Sequence, residues 1–266
     1  MKTSSCDIGA RRLSFTCTGM DVASPTVILE TGLGAESDEW QTVQQEIAAP
    51  TRVLRYDRAG RGASDGAPGP RSAVDMVADL RTLLKLENIP GPYVLVGHSF
   101  GGLLMRLFAH QHRDEVRALI LVDCIHPSQF DVFGPLFPPP VPSEPRELTG
   151  MRRFWTGGWR SPDSTTEGID FAASLLADRA IGSLGDLPIT ILTAGTFVNS
   201  KLIPGQFAAA LQQRWEDLQR TFLALSTNAQ QFFIHDSGHF MQRDNPRAII
   251  QAINAALLGT PPPGGQ

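Results

Sequence analysis

The 266-residue sequence predicts an α/β fold, in which a mostly parallel β-sheet is covered on both faces by helices. Short, continuously apolar segments recur along the chain, and most of them precede a longer segment with helical spacing of its apolar residues. Strands that are apolar along their whole length are typical of parallel sheets, because helices bury both faces. One long segment, 124–187, interrupts this alternation and indicates an insertion.

Each predicted strand is short, rich in aliphatic residues and bounded by Gly, Pro or polar residues. The predicted strands are Arg12–Thr18, Thr26–Glu30, Arg52–Tyr56, Tyr93–Val96, Ala118–Val122, Ile189–Thr193 and Gln231–Ile234. Apolar residues at helical spacing predict the helices, and Ser37 is the expected N-cap of the first one. The predicted helices are Ser37–Ala48, Ser72–Asn88, Phe100–His112, Phe171–Ala180, Gln206–Ser226 and Pro246–Leu258.

The insertion is expected to interrupt one α/β domain. Residues 124–187 contain Pro-rich loop and helical patterns but no strand pattern, so we expect a cap, or lid, over the edge of the sheet. The α/β core is then expected to comprise residues 1–123 and 188–259. The tail, 260–266, is expected to be disordered, because its Pro and Gly residues have nothing to pack against.

Composition argues against several classes of function. The net charge is −4, without the basic excess that favours nucleic acid or an anionic membrane. We see no secretory signal and no apolar run that could span a bilayer, so the cytoplasm is the expected compartment. Cys6, Cys17 and Cys124 are expected to be reduced, although the first two could pair within a hairpin. We expect no metal and no cofactor, since neither ligand spacing nor a dinucleotide phosphate loop is present.

The central motif is G-H-S-F-G at 97–101, between a predicted buried strand and a predicted helix. This context is typical of a nucleophile elbow, a strained turn that lifts the hydroxyl of Ser99 off the sheet. Gly97 and Gly101 would allow strand and helix to close around that turn. A glycine-rich turn without catalysis is the alternative.

A serine nucleophile needs a base that accepts its proton near neutral pH. His239 is the candidate, because it lies between the last predicted strand and the last predicted helix, at the sheet edge where the elbow also lies. A satisfied structural histidine is the alternative. His98, next to Ser99, is expected to pack beneath it.

An oxyanion hole needs two backbone N–H donors that point at the carbonyl oxygen of the substrate. We expect one from Phe100, which follows the nucleophile, and one from Leu33, in the glycine-rich loop at 30–34. The alternative for that loop is an ordinary glycine-rich exit from a strand.

These motifs resemble, in type and order, those of α/β-hydrolase-fold proteins. The segments that carry the resemblance are G-L-G at 32–34, Y-D-R-A-G-R-G-A-S-D at 56–65, G-H-S-F-G-G at 97–102 and S-G-H at 237–239. The resemblance covers nearly the whole chain apart from the cap and the termini. It implies the α/β-hydrolase fold and a Ser–His–acid hydrolase, most often one that acts on carboxylic esters.

The position of the acid departs from the common pattern of this family. Family members often carry Asp or Glu just after the strand equivalent to 189–193, but residues 194–200 contain no carboxylate. A variant of the family has the acid at the end of the preceding strand, and the resemblance therefore implies Asp123, which would fix the tautomer of His239. A turn-capping role for Asp123, a role for Asn199 in its place and a site without an acid stay open.

Three further charged residues near these motifs are expected to be structural. Glu30 precedes Thr31, where the family often has His, and its carboxylate is expected to bind backbone amides. Asp57 and Arg58 are expected to hold a tight loop.

The insertion is rich in aromatic residues, which would line an apolar pocket if the insertion folds over Ser99. For any single one of these residues, a place in the small core of the cap is the better interpretation. They are Phe130, Phe133, Phe137, Phe154, Trp155, Trp159 and Phe171. Together they favour small-to-medium uncharged esters, and the absence of Arg clusters disfavours phosphorylated ones.

The sequence therefore predicts an esterase-like serine hydrolase that forms an acyl-enzyme on Ser99. Lactone opening, amide cleavage or a lyase reaction on the same scaffold is an alternative, because the fold does not fix the substrate. A catalytically inactive ligand-binding protein is an alternative of another class.

Overall fold

The central sheet has eight strands and is parallel except at its N-terminal edge. The computed structural model describes residues 2–19, 25–47, 51–197 and 205–262. The strands are β1 (Ser4–Asp7), β2 (Arg12–Thr18), β3 (Thr26–Glu30), β4 (Val53–Tyr56), β5 (Tyr93–His98), β6 (Val116–Val122), β7 (Ile189–Thr196) and β8 (Ala229–Gly238). Their order is β1-β2-β4-β3-β5-β6-β7-β8, and all pairings from β4 to β8 are parallel. The predicted α/β class is confirmed.

The N-terminal edge is a hairpin of β1 and β2, which joins β4 in antiparallel orientation. We did not predict β1, because Ser4–Asp7 is short and mostly polar and has no apolar run. Cys6 faces Leu13 across this hairpin, and all three cysteines are free, as expected.

Helices cover the sheet in the predicted alternation. They are α1 (Gln41–Ile47), α2 (Ala73–Leu86), α3 (Phe100–Gln111), α4 (Gln129–Phe133), α5 (Arg146–Thr156), α6 (Phe171–Arg179), α7 (Gly205–Thr221), α8 (Met241–Asp244) and α9 (Pro246–Leu258). The predicted N-cap Ser37 is wrong: Ser37–Trp40 is a 3₁₀ turn that precedes α1, and the side chain of Glu36 at its N-cap position makes no capping hydrogen bond. The Ser37 hydroxyl accepts a hydrogen bond from Arg55 (3.2 Å). The predicted end of that helix, Ala48, lies outside the described residues.

Successive strand residues pack on opposite faces of the sheet. On β5, Leu95 belongs to the apolar cluster beneath α2 and α3, whereas Val94 and Val96 belong to the cluster beneath α1 and α9. Every residue of the central strands β3 and β5 is buried on one face or the other, which explains why these segments are almost continuously apolar. The polar ends of the strands are left at the carboxyl edge of the sheet.

The insertion between β6 and β7 is helical, and it contains α4, α5 and α6. Helix α6 packs on the core, since the hydroxyl of Ser174 accepts a hydrogen bond from the N–H of Ala73 (2.9 Å) and Asp178 forms a buried ion pair with Arg106 (2.6 Å). Its role as a cap stays a prediction, as does the disordered tail, of which 263–266 lie outside the described residues. No helix in the described ranges is long and apolar enough to cross a membrane.

Candidate active site

Ser99 lies in a tight turn between β5 and α3. Its backbone has φ 52° and ψ −118°, a conformation that residues other than glycine rarely adopt. A Cβ on Gly97 would lie 2.5 Å from the carbonyl oxygen of Gly101, and one on Gly101 would lie 2.5 Å from that of Thr31. Both positions therefore require glycine for strand, turn and helix to pack this closely.

His239 follows β8 and reaches the serine from the neighbouring loop. Its Nε2 lies 3.1 Å from the Oγ of Ser99, within hydrogen-bond distance. Its Nδ1 lies 2.6 Å from the Oδ2 of Asp123. One imidazole therefore contacts a hydroxyl on one side and a carboxylate on the other.

Asp123 directly follows β6 and is fully buried. Its φ of 41° is in the left-handed region, which Asp tolerates better than most residues. Its Oδ1 accepts hydrogen bonds from the N–H of Ala194 (3.0 Å) and the Nε1–H of Trp215 (2.6 Å), which leaves Oδ2 for His239. The structure thus brings Ser99, His239 and Asp123 together, whereas Asn199 lies outside the described residues.

Leu33 and Phe100 line the same small cavity as Ser99. Within the described part of the chain, neither backbone N–H donates a hydrogen bond. Phe100 begins α3, and the first N–H groups of a helix lack intrahelical partners and favour negative charge. Two residues with unused N–H donors therefore line the same cavity as Ser99, and their role as an oxyanion hole stays a prediction.

The side chain of Arg58 binds the backbone of the loop that contains Leu33. It is almost fully buried, and its guanidinium donates to the backbone carbonyls of Thr31 (2.8 Å) and Gly32 (2.7 Å). It also forms ion pairs with Glu30 (2.6 Å) and with Glu167 of the insertion (2.7 Å). Within the described residues the carboxylate of Glu30 accepts hydrogen bonds from Arg58 and from the hydroxyl of Tyr56 (2.5 Å), so the expected binding to backbone amides is wrong. Arg58 holds this neighbouring loop and not only its own.

The pKa values of the two carboxylates that bind Arg58 shift in opposite directions. Burial raises the pKa of Glu30 above its ordinary value despite the attraction of Arg58. Burial also raises the pKa of Glu167, but the charge and hydrogen bonds of Arg58 outweigh this effect and leave that pKa below its ordinary value. Glu167 further accepts a hydrogen bond from the N–H of Gly34 (2.6 Å), so the insertion and the loop share one buried network.

Replacement of Arg58 by methionine is expected to lower the free energy of unfolding by about 3–5 kcal/mol, because it leaves two buried carboxylates without their cationic partner. Urea unfolding of both proteins measures the effect. The matched control is Arg12→Met, which removes an exposed ion pair with Asp65 and should cost far less. Equal losses in the two variants would contradict the strong coupling of the buried network.

His98, which precedes Ser99 in the chain, is buried, and its hydrogen bonds require the neutral ring. Its Nε2–H donates to the backbone carbonyl of His239 (2.8 Å), and its Nδ1 lies 3.3 Å from the amide nitrogen of Gln242. Burial, followed by the proximity of His239, holds the pKa of His98 well below its ordinary value.

Acid is therefore expected to weaken the fold through His98. The folded state holds this ring neutral while the unfolded chain protonates it near pH 6.5, so its contribution is complete above that pH and is lost as the pH falls. His98→Gln should shrink the difference in unfolding free energy between pH 7.5 and pH 5.5 by about 1 kcal/mol. Urea unfolding at both pH values measures this difference, and an unchanged difference would contradict the prediction.

The cavity beside Ser99 has a volume of about 120 Å³ and mostly aromatic walls. The aromatic residues that line it are Phe100, Phe130, Phe154, Trp155, Phe171, Phe197 and Trp215. Four of them belong to the predicted aromatic set of the insertion, whereas Phe133 packs on Trp215 and Trp159 stacks on Phe130. Three further lining residues were not predicted, because no local sequence motif marks them: Phe197, Trp215 and Gln129.

The chain matches the family model for the α/β hydrolase fold over residues 25–252. It is 27% identical over 230 residues to the uncharacterized protein YqjL of Bacillus subtilis, which covers 86% of this chain and 81% of that protein. It is 41% identical over 91 residues to the uncharacterized protein C23C11.06c of Schizosaccharomyces pombe, or 34% of this chain and 16% of that longer protein.

A thermophilic esterase from Thermogutta terrifontis has a similar solved structure, with a TM-score of 0.62 and 20% identity over 97% of this chain and 99% of the esterase. The predicted fold is thereby confirmed, and family membership supports the predicted class of enzyme, a hydrolase. The match over 25–252, together with the fold, shows that this chain belongs to the α/β-hydrolase fold family.

Proposed function

We propose that this protein is a serine hydrolase that cleaves carboxylic ester bonds through an acyl-enzyme. The observation that carries the proposal is the continuous hydrogen-bonded chain from Asp123 through His239 to Ser99, which ends at an apolar cavity. This is the geometry expected of a nucleophile, its base and the residue that orients the base.

In the first half of the reaction, the Oγ of Ser99 attacks the carbonyl carbon of the ester while Nε2 of His239 takes the hydroxyl proton. Asp123 accepts a hydrogen bond from Nδ1–H and stabilises the imidazolium. The N–H groups of Leu33 and Phe100 stabilise the negative carbonyl oxygen of the tetrahedral intermediate. The intermediate then collapses, and His239 protonates the departing alcohol.

In the second half, His239 accepts a proton from water, which attacks the acyl carbon bound to Ser99. A second tetrahedral intermediate forms in the same oxyanion hole. Its collapse returns the proton from His239 to the serine oxygen and releases the carboxylic acid. The protein is unchanged, and one water is consumed for each ester.

Uncharged esters of small to medium size suit the cavity best. No Lys, Arg, Asp or Glu is among the described residues that line it, so a charged acyl or alcohol group would lose its hydration without gaining a partner. Aromatic side chains provide most of the wall, and they favour an apolar body. We expect the protein to carry out this reaction in the cytoplasm.

A series of 4-nitrophenyl esters of increasing acyl length tests this function, together with covalent labelling by a fluorophosphonate. We expect turnover with a short-chain optimum, set by the size of the cavity, and labelling at Ser99. Labelling without ester turnover would indicate an active serine with other substrates, such as lactones or amides. Absence of both would favour the ligand-binding protein.

A further inference from the structure

Gln129 is the one amide side chain among the described residues that line the cavity beside Ser99. It begins α4, and only 3% of its surface is exposed. Its Oε1 is buried without a hydrogen-bond partner, whereas its Nε2 is not among the buried unpaired atoms of the described residues. A buried amide oxygen without a partner is costly, so its position on a cavity wall needs an explanation.

Two other buried glutamines show that Gln129 is unusual. The Oε1 atoms of Gln219 and Gln242 also lack partners, but each side chain donates through Nε2, to the carbonyl of Cys124 (2.6 Å) and to Glu39 (2.7 Å) respectively. Neither of them lines the cavity. Their amides therefore hold the fold together, whereas the amide of Gln129 makes no such bond.

The surroundings of Gln129 are otherwise apolar. Apart from Ser99 and His239, every other described residue on the cavity wall is aliphatic or aromatic. Leucine or methionine would fill the same position without the cost of a buried amide. The presence of this amide in an apolar wall is therefore best explained by a ligand that supplies the missing hydrogen-bond partner.

We propose that Gln129 determines substrate specificity by binding one neutral polar group, such as a hydroxyl, ether or carbonyl, on an otherwise apolar part of the ester. This inference rests on the proposed function. The amide can donate through Nε2 and accept through Oε1, so either kind of group finds a partner. A hydrocarbon in the same place leaves the amide unpaired and binds less well.

The size of the cavity limits that part of the substrate. Engineered apolar cavities of about 150 Å³ bind one benzene molecule. The cavity beside Ser99, about 120 Å³, is of the same order, so its size favours one compact group, such as a short branched chain or at most a single ring. The inferred substrate class is an uncharged ester with one compact apolar group that carries a single hydrogen-bonding substituent.

Matched pairs of esters test this specificity. On the acyl side we compare 4-nitrophenyl methoxyacetate with the butanoate, and on the alcohol side 4-(hydroxymethyl)phenyl acetate with 4-ethylphenyl acetate. The ratio of kcat/KM within a pair is measured for the wild type and for Gln129→Met, so that differences in intrinsic reactivity cancel. We expect the preference for the polar member to fall about tenfold or more in at least one pair.

Phe154→Leu, on the apolar wall of the same cavity, is the control, and it should lower both members of each pair alike. Gln129→Leu also removes both the donor and the acceptor, and it replaces the methionine variant if that protein does not fold. Ratios that are unchanged for both pairs overturn the role of Gln129. If the fluorophosphonate does not label the wild type, the proposed function itself fails, and this inference fails with it.

Discussion

Replacement of Ser99 by alanine is expected to abolish ester turnover, with kcat lowered about 10⁶-fold, as for a lost nucleophile in other triads. The Oγ of Ser99 is the hydroxyl that His239 contacts, and the other described residues on the cavity wall offer no second hydroxyl. Any residual rate would come from direct attack of water on the bound ester, with the proposed oxyanion donors stabilising the intermediate. Hydrolysis of the best ester of the acyl series measures the loss, and a fluorophosphonate should no longer label the protein.

A second variant at the same position separates chemistry from stability. The φ of 52° and ψ of −118° at Ser99 suit glycine much better than alanine. Ser99→Gly should therefore be equally inactive but about 1 kcal/mol more stable than Ser99→Ala in urea unfolding. Turnover that persists in both variants would show that another group attacks the ester. Equal stabilities would contradict the backbone strain at this turn.

The sequence predicts much of this fold because its signals are local. Each buried strand is apolar along its length, and most are followed by a helix that its own periodicity and caps define, as in α2 with the capping box of Ser72 and Asp75. The glycines of 97–101 identify Ser99 for the same reason, since the turn needs them regardless of the rest of the chain. The β1 edge was missed because it has no such local signal.

The environment of the site could not be predicted, because it depends on contacts between distant segments. Trp215 lies on a long amphipathic helix, and nothing in that pattern shows that its indole contacts a carboxylate 92 residues earlier in the chain. Glu167 similarly reaches Arg58 over 109 residues. Asp123 was implied by resemblance alone, since an Asp at the end of a strand is also common as a turn residue.

Replacement of Asp123 by asparagine is expected to lower kcat about 10⁴-fold with little change in KM. The donors of Ala194 and Trp215 would hold the amide oxygen at the place of Oδ1, so the NH₂ group would face Nδ1 of His239. Nδ1 would then have to accept a hydrogen bond, and the ring proton would move to Nε2. In that tautomer His239 cannot take the proton of Ser99.

Two further variants assign this effect to the carboxylate. Trp215→Phe keeps Asp123 but removes one of its donors, so we expect a loss of about tenfold, intermediate between the wild type and Asp123→Asn. Asn199→Ala tests the alternative acid position and should leave kcat unchanged. If Asp123→Asn retains full turnover while Asn199→Ala does not, then the residue that orients His239 is Asn199. If neither variant loses turnover, then His239 acts without an acid.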